Sequence, residues 1–348
     1  MGRLFKILSS VIAIALVLTA VVYLAFFLNK PKSNAYQDYP LWEDIRPLPQ
    51  PRTFSLMPNW FHEAEFSGFY LAKLHGFYKT HNMDVRILPF SMDYNVLDSV
   101  RAGAIDFGFA APPDLVSEGN QKYDLVAIGA VYQIFPGVFL AMENSGITSP
   151  HDFCGKKVIA KNETWVEYTK RAMMNVGQDT SCIVWDNGTI DIQRFLRGEV
   201  DVWNGYIQDE PNEAELAGYS VRVIYLYDYG FEDYAQLIVT RRELIENDPE
   251  AVKCFLAVSL LGWDYALRNS EEALDCIIHY APDLAINFQR QALKKITPFV
   301  KCGSAPIGWI DRDRWERMFK CYGVEHSDSL LFDDFLHDIY GSLVFEDV

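Results

Sequence analysis

From residue 53 to residue 240, short apolar runs alternate with stretches of helical period, the rhythm of parallel strands joined by crossover helices. The pattern predicts strands over 53–57, 85–88 and 106–109, with helices over 66–78, interrupted by Gly76, and over 94–101. Apolar runs at 125–131 and 138–142 follow. A second alternating set predicts strands over 157–160, 183–185, 200–204, 221–225 and 236–240, and helices over 165–176 and over 190–197, the latter ended by Gly198. From Asp248 onward the period is helical: Ala251, Phe255, Val258, Leu261 and Tyr265 share one face, with Asp248 as N-cap and Pro249 at the first helical position. Further helices are expected over 270–280, 286–296, 311–322 and 329–340. The fold class is therefore α/β, in two lobes with a helical tail and no solenoid repeat.

The first 30 residues follow a different pattern. Residues 7–28 carry no charge, enough to cross a hydrocarbon core of roughly 30 Å as a helix, and Arg3, Lys6, Lys30 and Lys32 flank them. Bulky residues stand where a small-x-small cleavage site belongs, which favours a retained signal anchor over residues 1–30; a cleaved signal peptide is the alternative. The proline-rich stretch 31–52 reads as a tether. The expectation is a protein anchored in the cell membrane, its soluble part on the periplasmic or extracellular side.

Composition narrows the partners. Half of the 348 residues are hydrophobic and 14% aromatic, so the chain has the apolar surface for packed cores. A formal net charge of −16 argues against nucleic acid as partner. The six cysteines all follow the apolar span, in what would be an oxidising compartment; a Cys154–Cys182 disulfide is favoured among the pairings, with buried free thiols the alternative. The histidines are scattered without metal-ligand spacing, and hydrolase, P-loop and dinucleotide fingerprints are absent from the sequence. No catalytic residue, metal or cofactor is expected.

The candidate chemistry sits at predicted strand ends, where α/β sheets tend to place ligands. Asn59 and Trp60 follow the first strand, and the indole offers a face for a planar ligand or packs the core. Glu65 is an acceptor for a ligand amine or a first-turn helix carboxylate. Tyr206 and Glu210 pair a ring with a carboxylate able to accept two adjacent N–H donors, as an aminopyrimidine presents them; capping a helix before Pro211 is the plainer reading. Pro112, Tyr132 and Gln133 are rim candidates, and Tyr234 lies near the expected return crossing. Thr164 and Gly188 stand where helices open, offering backbone donors to an anion or ordinary caps.

The run from Asn59 to Ala72, with Gly76-Phe77-Tyr78-Lys79, Gly103-Ala104-Ile105-Asp106, Gly198-Glu199-Val200-Asp201 and Gly205-Tyr206-Ile207-Gln208-Asp209-Glu210-Pro211, resembles the solute-binding proteins of ABC importers that are similar to thiamine-pyrimidine synthase and to sulfonate-binding proteins. The resemblance runs from about Thr53 to about Tyr322. It implies a type II periplasmic-binding-protein fold, with lobe one over 53–140 and 237–348 and lobe two over 141–236. It also implies a small-molecule ligand, a thiamine-precursor pyrimidine by first preference, and permease and ATPase subunits as partners. The related synthase carries a cysteine-rich active-site motif with no counterpart among these dispersed cysteines. A pyrimidine-precursor synthase and a sensory ectodomain remain the alternatives.

Overall fold

Two five-stranded mixed sheets carry the molecule, and they share one topology. The computed structural model describes residues 45–116 and 124–341. In the first sheet β1 (Arg52–Met57) runs parallel to β2 (Met83–Ile87) on one side and β3 (Phe107–Ala110) on the other. In the second, β6 (Lys157–Ile159) runs parallel to β7 (Val184–Asp186) and β8 (Val202–Tyr206). Each sheet is completed by an antiparallel pair: β4 (Leu125–Tyr132) with β10 (Ala235–Arg241), and β5 (Gly137–Met142) with β9 (Val221–Tyr225). The strand orders are β2-β1-β3-β10-β4 and β7-β6-β8-β5-β9. The chain thus passes from the first sheet to the second through 133–136 and returns through 226–234.

Most of the expected elements form, and the departures have local causes. Gly76 does break its helix: φ is +77° there, and Ser67–Leu74 and Phe77–Thr80 lie on either side. Asp248 occupies the N-cap position of Pro249–Arg268 without capping it, because its carboxylate pairs with Arg52. That helix is buried all round rather than on the one predicted face, the mark of a helix enclosed by packing. It crosses Ser67–Leu74 so closely that a Cβ on Gly262 would meet the Gly68 carbonyl oxygen. The helix predicted from residue 190 begins at Ile192, where Asp191 accepts from the Gln193 N–H, and the one predicted over 329–340 is confined to Asp334–Tyr340. Ile286–Val300 continues past the predicted end through Pro298.

Strand β4 closes one side of its sheet, yet every residue in it is buried. The C-terminal segment covers that edge: the Phe332 N–H donates to Ala127 O at 2.8 Å and the Ala130 N–H to Gly308 O at 3.0 Å. The Cys154–Cys182 disulfide forms as favoured. Part of the expected tether is packed, since Leu48 is buried with its N–H on His81 O at 3.2 Å and its carbonyl accepting from Asn82 Nδ2 at 2.7 Å. The expected membrane anchor lies outside the described residues; among the described residues, no helix is long and apolar enough to cross a membrane.

Candidate functional site

The parallel strands of both sheets end toward a common cavity of about 630 Å³. From the first sheet come Asn59, Trp60, Glu63 and Glu65 beyond β1, Ala111 beyond β3 and Tyr132 at the end of β4. From the second come Lys161, Asn162 and Trp165 beyond β6, and Tyr206, Gln208, Asp209 and Glu210 at and beyond β8. Phe135 and Pro136 on one crossing, and Ala235 and Gln236 where the other rejoins β10, complete the walls with Ile190. This is the crevice at the carboxyl ends of strands where open α/β sheets bind ligands.

Several of the predicted site residues meet there and several do not. Asn59, Trp60, Glu65, Tyr132, Tyr206 and Glu210 line the cavity. Pro112 is buried at the start of the Pro112–Leu115 helix, leaving its neighbour Ala111 on the wall. Gln133 is buried off the cavity, its Nε2 donating to Ala130 O at 3.0 Å. Thr164 lies exposed within the Glu163–Asn175 helix, whose N-cap is Asn162, the acceptor of the Trp165 N–H at 3.0 Å. Gly188 opens no helix; its N–H is held by Asp186 at 3.0 Å, and the Arg194 guanidinium fills the space beside it. Tyr234 is buried away from the cavity, with the Arg314 guanidinium 3.9 Å from its ring centroid and its hydroxyl accepting from the Asp311 N–H at 2.9 Å.

Glu210 has a different task from the expected pair of ligand hydrogen bonds. One carboxylate oxygen accepts from the Tyr206 N–H at 2.9 Å and the other pairs with Lys161. Gly205 makes this turn feasible, since a Cβ there would collide with the Glu210 carboxylate. The segment after β8 is thereby folded back on the strand end, which sets Gln208 and Asp209 on the wall.

The remaining acids lack an ion-pair partner of their own. Among the described residues Glu63, Glu65 and Asp209 form no ion pair. Burial holds the Glu63 carboxyl well above the usual carboxylate range, and the charges of Glu65 and Glu210 push it further. Burial and then Asp209 do the same to Glu65. Asp209 is raised by burial and by Glu63 and Glu210, with Lys161 opposing and Glu213 adding to the rise. Glu213, just behind, is raised by burial, Glu210 and Asp191 against Lys161. The Tyr132 and Tyr206 hydroxyls are pushed up as well, mainly by burial.

Aromatic surfaces flank these acids. Trp60 is 46% exposed at the lip, its ring centroid 6.0 Å from that of Phe90. Across the cavity Trp165 lies 5.5 Å from Tyr206, and Phe135 lies 6.2 Å from it. Buried polar atoms with no hydrogen-bond partner also face the cavity's residues: Glu63 Oε1, the Tyr132 hydroxyl, Gln208 Oε1 and both amide atoms of Gln236. Gln236 is bent into the left-handed region at φ +50°, an uncommon state for a residue with a side chain.

Sequence reasoning had not selected Glu63, Lys161, Trp165, Gln208, Asp209 or Gln236. Glu63, Gln208 and Asp209 stand inside the two motifs it did select, beside the residues named. Gln236 left no signal, because its place at the cavity comes from the pairing of β10 with β4.

A family profile described as NMT1/THI5 like matches residues 63–273. The chain belongs to this family. Two relatives bracket its range: a riboflavin-binding protein of Chloroflexus aurantiacus, 24% identical over 76% of this chain and 77% of its own length, and a 4-amino-5-hydroxymethyl-2-methylpyrimidine phosphate synthase of Legionella pneumophila, 26% identical over 76% and 84%. The solved periplasmic aliphatic sulphonate binding protein of Escherichia coli superposes with a TM-score of 0.64 at 18% identity, covering 81% of this chain and 89% of that one. The shared fold of this NMT1/THI5-like chain is thus that of a periplasmic binding protein, two mixed sheets with flanking helices.

Proposed function

We propose that this chain is the extracytoplasmic solute-binding protein of an ABC import system and takes up a small planar nitrogenous metabolite, a thiamine-precursor pyrimidine first among the candidates. The reading rests on one observation: a cavity between two sheets whose walls pair aromatic side chains with unpartnered buried polar atoms. The two lobes follow the two sheets, with residues 137–140 going to the second lobe and 235–236 to the first against the expected 53–140 with 237–348 and 141–236, and the crossings at 133–136 and 226–234 serve as hinges. A solute touching Trp60 on one side and Tyr206 on the other favours the closed arrangement, since it contacts both walls only there. Residues 1–30 tether the protein to the membrane beside its permease and ATPase subunits, and capture by closure requires no covalent chemistry of the chain. The sensory alternative separates from transport by gene context: a neighbouring kinase in place of a permease and an ATPase favours sensing.

Thermal denaturation with a panel of pyrimidines, thiamine, riboflavin and sulfonates tests the class, because a solute bound by the folded state raises its melting temperature. Trp60→Ala and Glu210→Ala are each expected to weaken the best solute by tenfold or more, about 1.4 kcal/mol. Changes within about threefold would remove the cavity from the binding site. The synthase-named Legionella relative favours one second reading, an enzyme forming a pyrimidine. Product released by the purified chain would establish it; a chain that only binds would not.

A further inference from the structure

Resting on that reading, we propose that the solute is a cation: a flat nitrogen ring carrying a positive charge on the ring or on a short amine arm, with N–H donors at its edge. Four carboxylates line the cavity, Glu63, Glu65, Asp209 and Glu210, against one lysine among the described residues, and that lysine is committed to Glu210. Three acids therefore remain, brought from both sheets to one enclosed space. An anion entering it would meet uncompensated like charge in a medium less polarisable than water, where repulsion is several-fold stronger. A cation would relieve that same repulsion.

The acids do not carry the inference alone. Tyr132, Gln208 and Gln236 are 2%, 3% and 6% exposed, line the same cavity, and keep polar atoms without partners. Of those atoms, Gln208 Oε1 and Gln236 Oε1 accept only, Gln236 Nε2 donates and the Tyr132 hydroxyl does either, so the complementary solute edge carries N–H donors beside an acceptor. The walls agree with the charge, because the aromatic residues Trp60, Trp165, Tyr206 and Phe135 line the cavity, and a cation that meets the face of such a ring is attracted to it. The raised carboxyls fit as well: Glu63, Glu65 and Asp209 are held toward their protonated forms first by burial and then by neighbouring acids, and a cation between them offsets the second of these. The E. coli neighbour is named for an aliphatic sulphonate; this chain uses a similar fold with the opposite charge preference.

Matched pairs test the charge apart from the ring. Isothermal titration of the purified full-length chain near neutral pH compares 4-amino-5-aminomethyl-2-methylpyrimidine, which carries an ammonium, with its 5-hydroxymethyl counterpart, which is neutral. A second pair is 1-methylnicotinamide against nicotinamide. At least one cation is expected to bind about tenfold or more tightly than its neutral partner, and Glu65→Gln with Asp209→Asn, checked as folded by its melting curve, narrows that ratio about threefold or more. The inference is overturned if each neutral partner binds as well as its cation, or if neither cation binds at about 5 mM. If the hydroxymethyl compound alone binds, the planar-solute reading stands and the charge assignment falls; if taurine binds and no ring compound does, both fall.

Discussion

The cavity and the paired crossings beside it are both enclosed and both charged, yet their neighbours act in opposite directions. At the crossings, burial raises the Asp233 carboxyl, and Arg171, Tyr322 and Arg314 all pull it back down. Tyr322 donates to Asp233 Oδ2 at 2.6 Å, and Arg171 approaches Oδ1 at 3.7 Å. Arg314 then ties the two crossings together, donating to Gln133 O at 2.6 Å on one and to Glu232 O and Asp233 O at 2.6 and 3.0 Å on the other. In the cavity, burial raises Glu65 in the same way, but the neighbouring charge of Asp209 raises it further. In one cluster the chain's own cations and a tyrosine offset the buried acid, although Asp233 Oδ1 keeps no hydrogen-bond partner; in the other the nearest charges are acids themselves. Charge held in an unfavourable arrangement is where a fold gives up stability for a site.

The largest effect expected from breaking this contrast is at the crossings. Arg314→Met keeps much of the stem but leaves three main-chain carbonyls without their donor and Asp233 with Arg171 as its one nearby cation among the described residues. Bonds from a charged donor to partly buried acceptors carry more than neutral ones, so the loss should be about 2–4 kcal/mol in urea denaturation with an unchanged slope. A loss under about 1 kcal/mol would mean that the crossings are held by packing alone.

The cavity should respond with the opposite sign. Glu65→Gln removes one of the mutually raised acids, so the unliganded protein should gain about 0.5–2 kcal/mol near neutral pH while solute binding weakens. The pH course follows from the direction of the shift. A carboxyl raised above its unfolded value near 4.5 keeps its proton longer in the folded state, so its contribution is present in full below that value and declines as pH rises through the raised range. Glu65 faces Glu63, Asp209, Tyr70, Tyr132 and Tyr206, with Glu210 and Lys161 next to these. Wild-type melting temperature without solute should therefore fall from about pH 5 toward pH 8, and Glu65→Gln should flatten part of that fall. Equal slopes in the two proteins would show that the charge crowding in the cavity does not limit the fold.

Much of this division was legible in the sequence at the level of strand ends and much of it was not. Alternating apolar and helical runs locate β1, β6 and β8, and whatever follows a parallel strand's end is drawn toward the crevice, which is why Trp60, Glu65, Tyr206 and Glu210 meet. Antiparallel strands carry no such rule. Tyr234 and Gln236 stand two residues apart, one ending the return crossing and one in β10, but Arg314, distant in sequence, captures the first, while the pairing of Ala235 and Leu237 with β4 holds the second at the cavity. Helix starts misled for a related reason: a polar residue before an apolar run caps a helix in several registers, and Asn162 and Asp191 took the positions assigned to Thr164 and Gly188. Glu210 reads as a free acceptor until the geometry shows that a glycine five residues earlier lets it turn back onto Lys161 and the Tyr206 N–H.

The smallest expected effect concerns Gln236, at the start of β10. Its positive φ and two unpartnered amide atoms both oppose folding, the first by an amount on the order of 1 kcal/mol for a residue with a side chain, the second by desolvation without return. Gln236→Gly removes both costs but adds freedom to the unfolded chain, a partial offset of roughly 0.4–1 kcal/mol. The net expectation is a gain of about 1 kcal/mol or less in the unliganded protein. Gln236→Ala removes the amide and keeps the strain, so it should gain less than the glycine variant. If both variants also weaken the solute several-fold, the strained glutamine belongs with Glu65 on the binding side of the contrast; if stability drops in both, its amide has a partner inside the fold and belongs with Arg314.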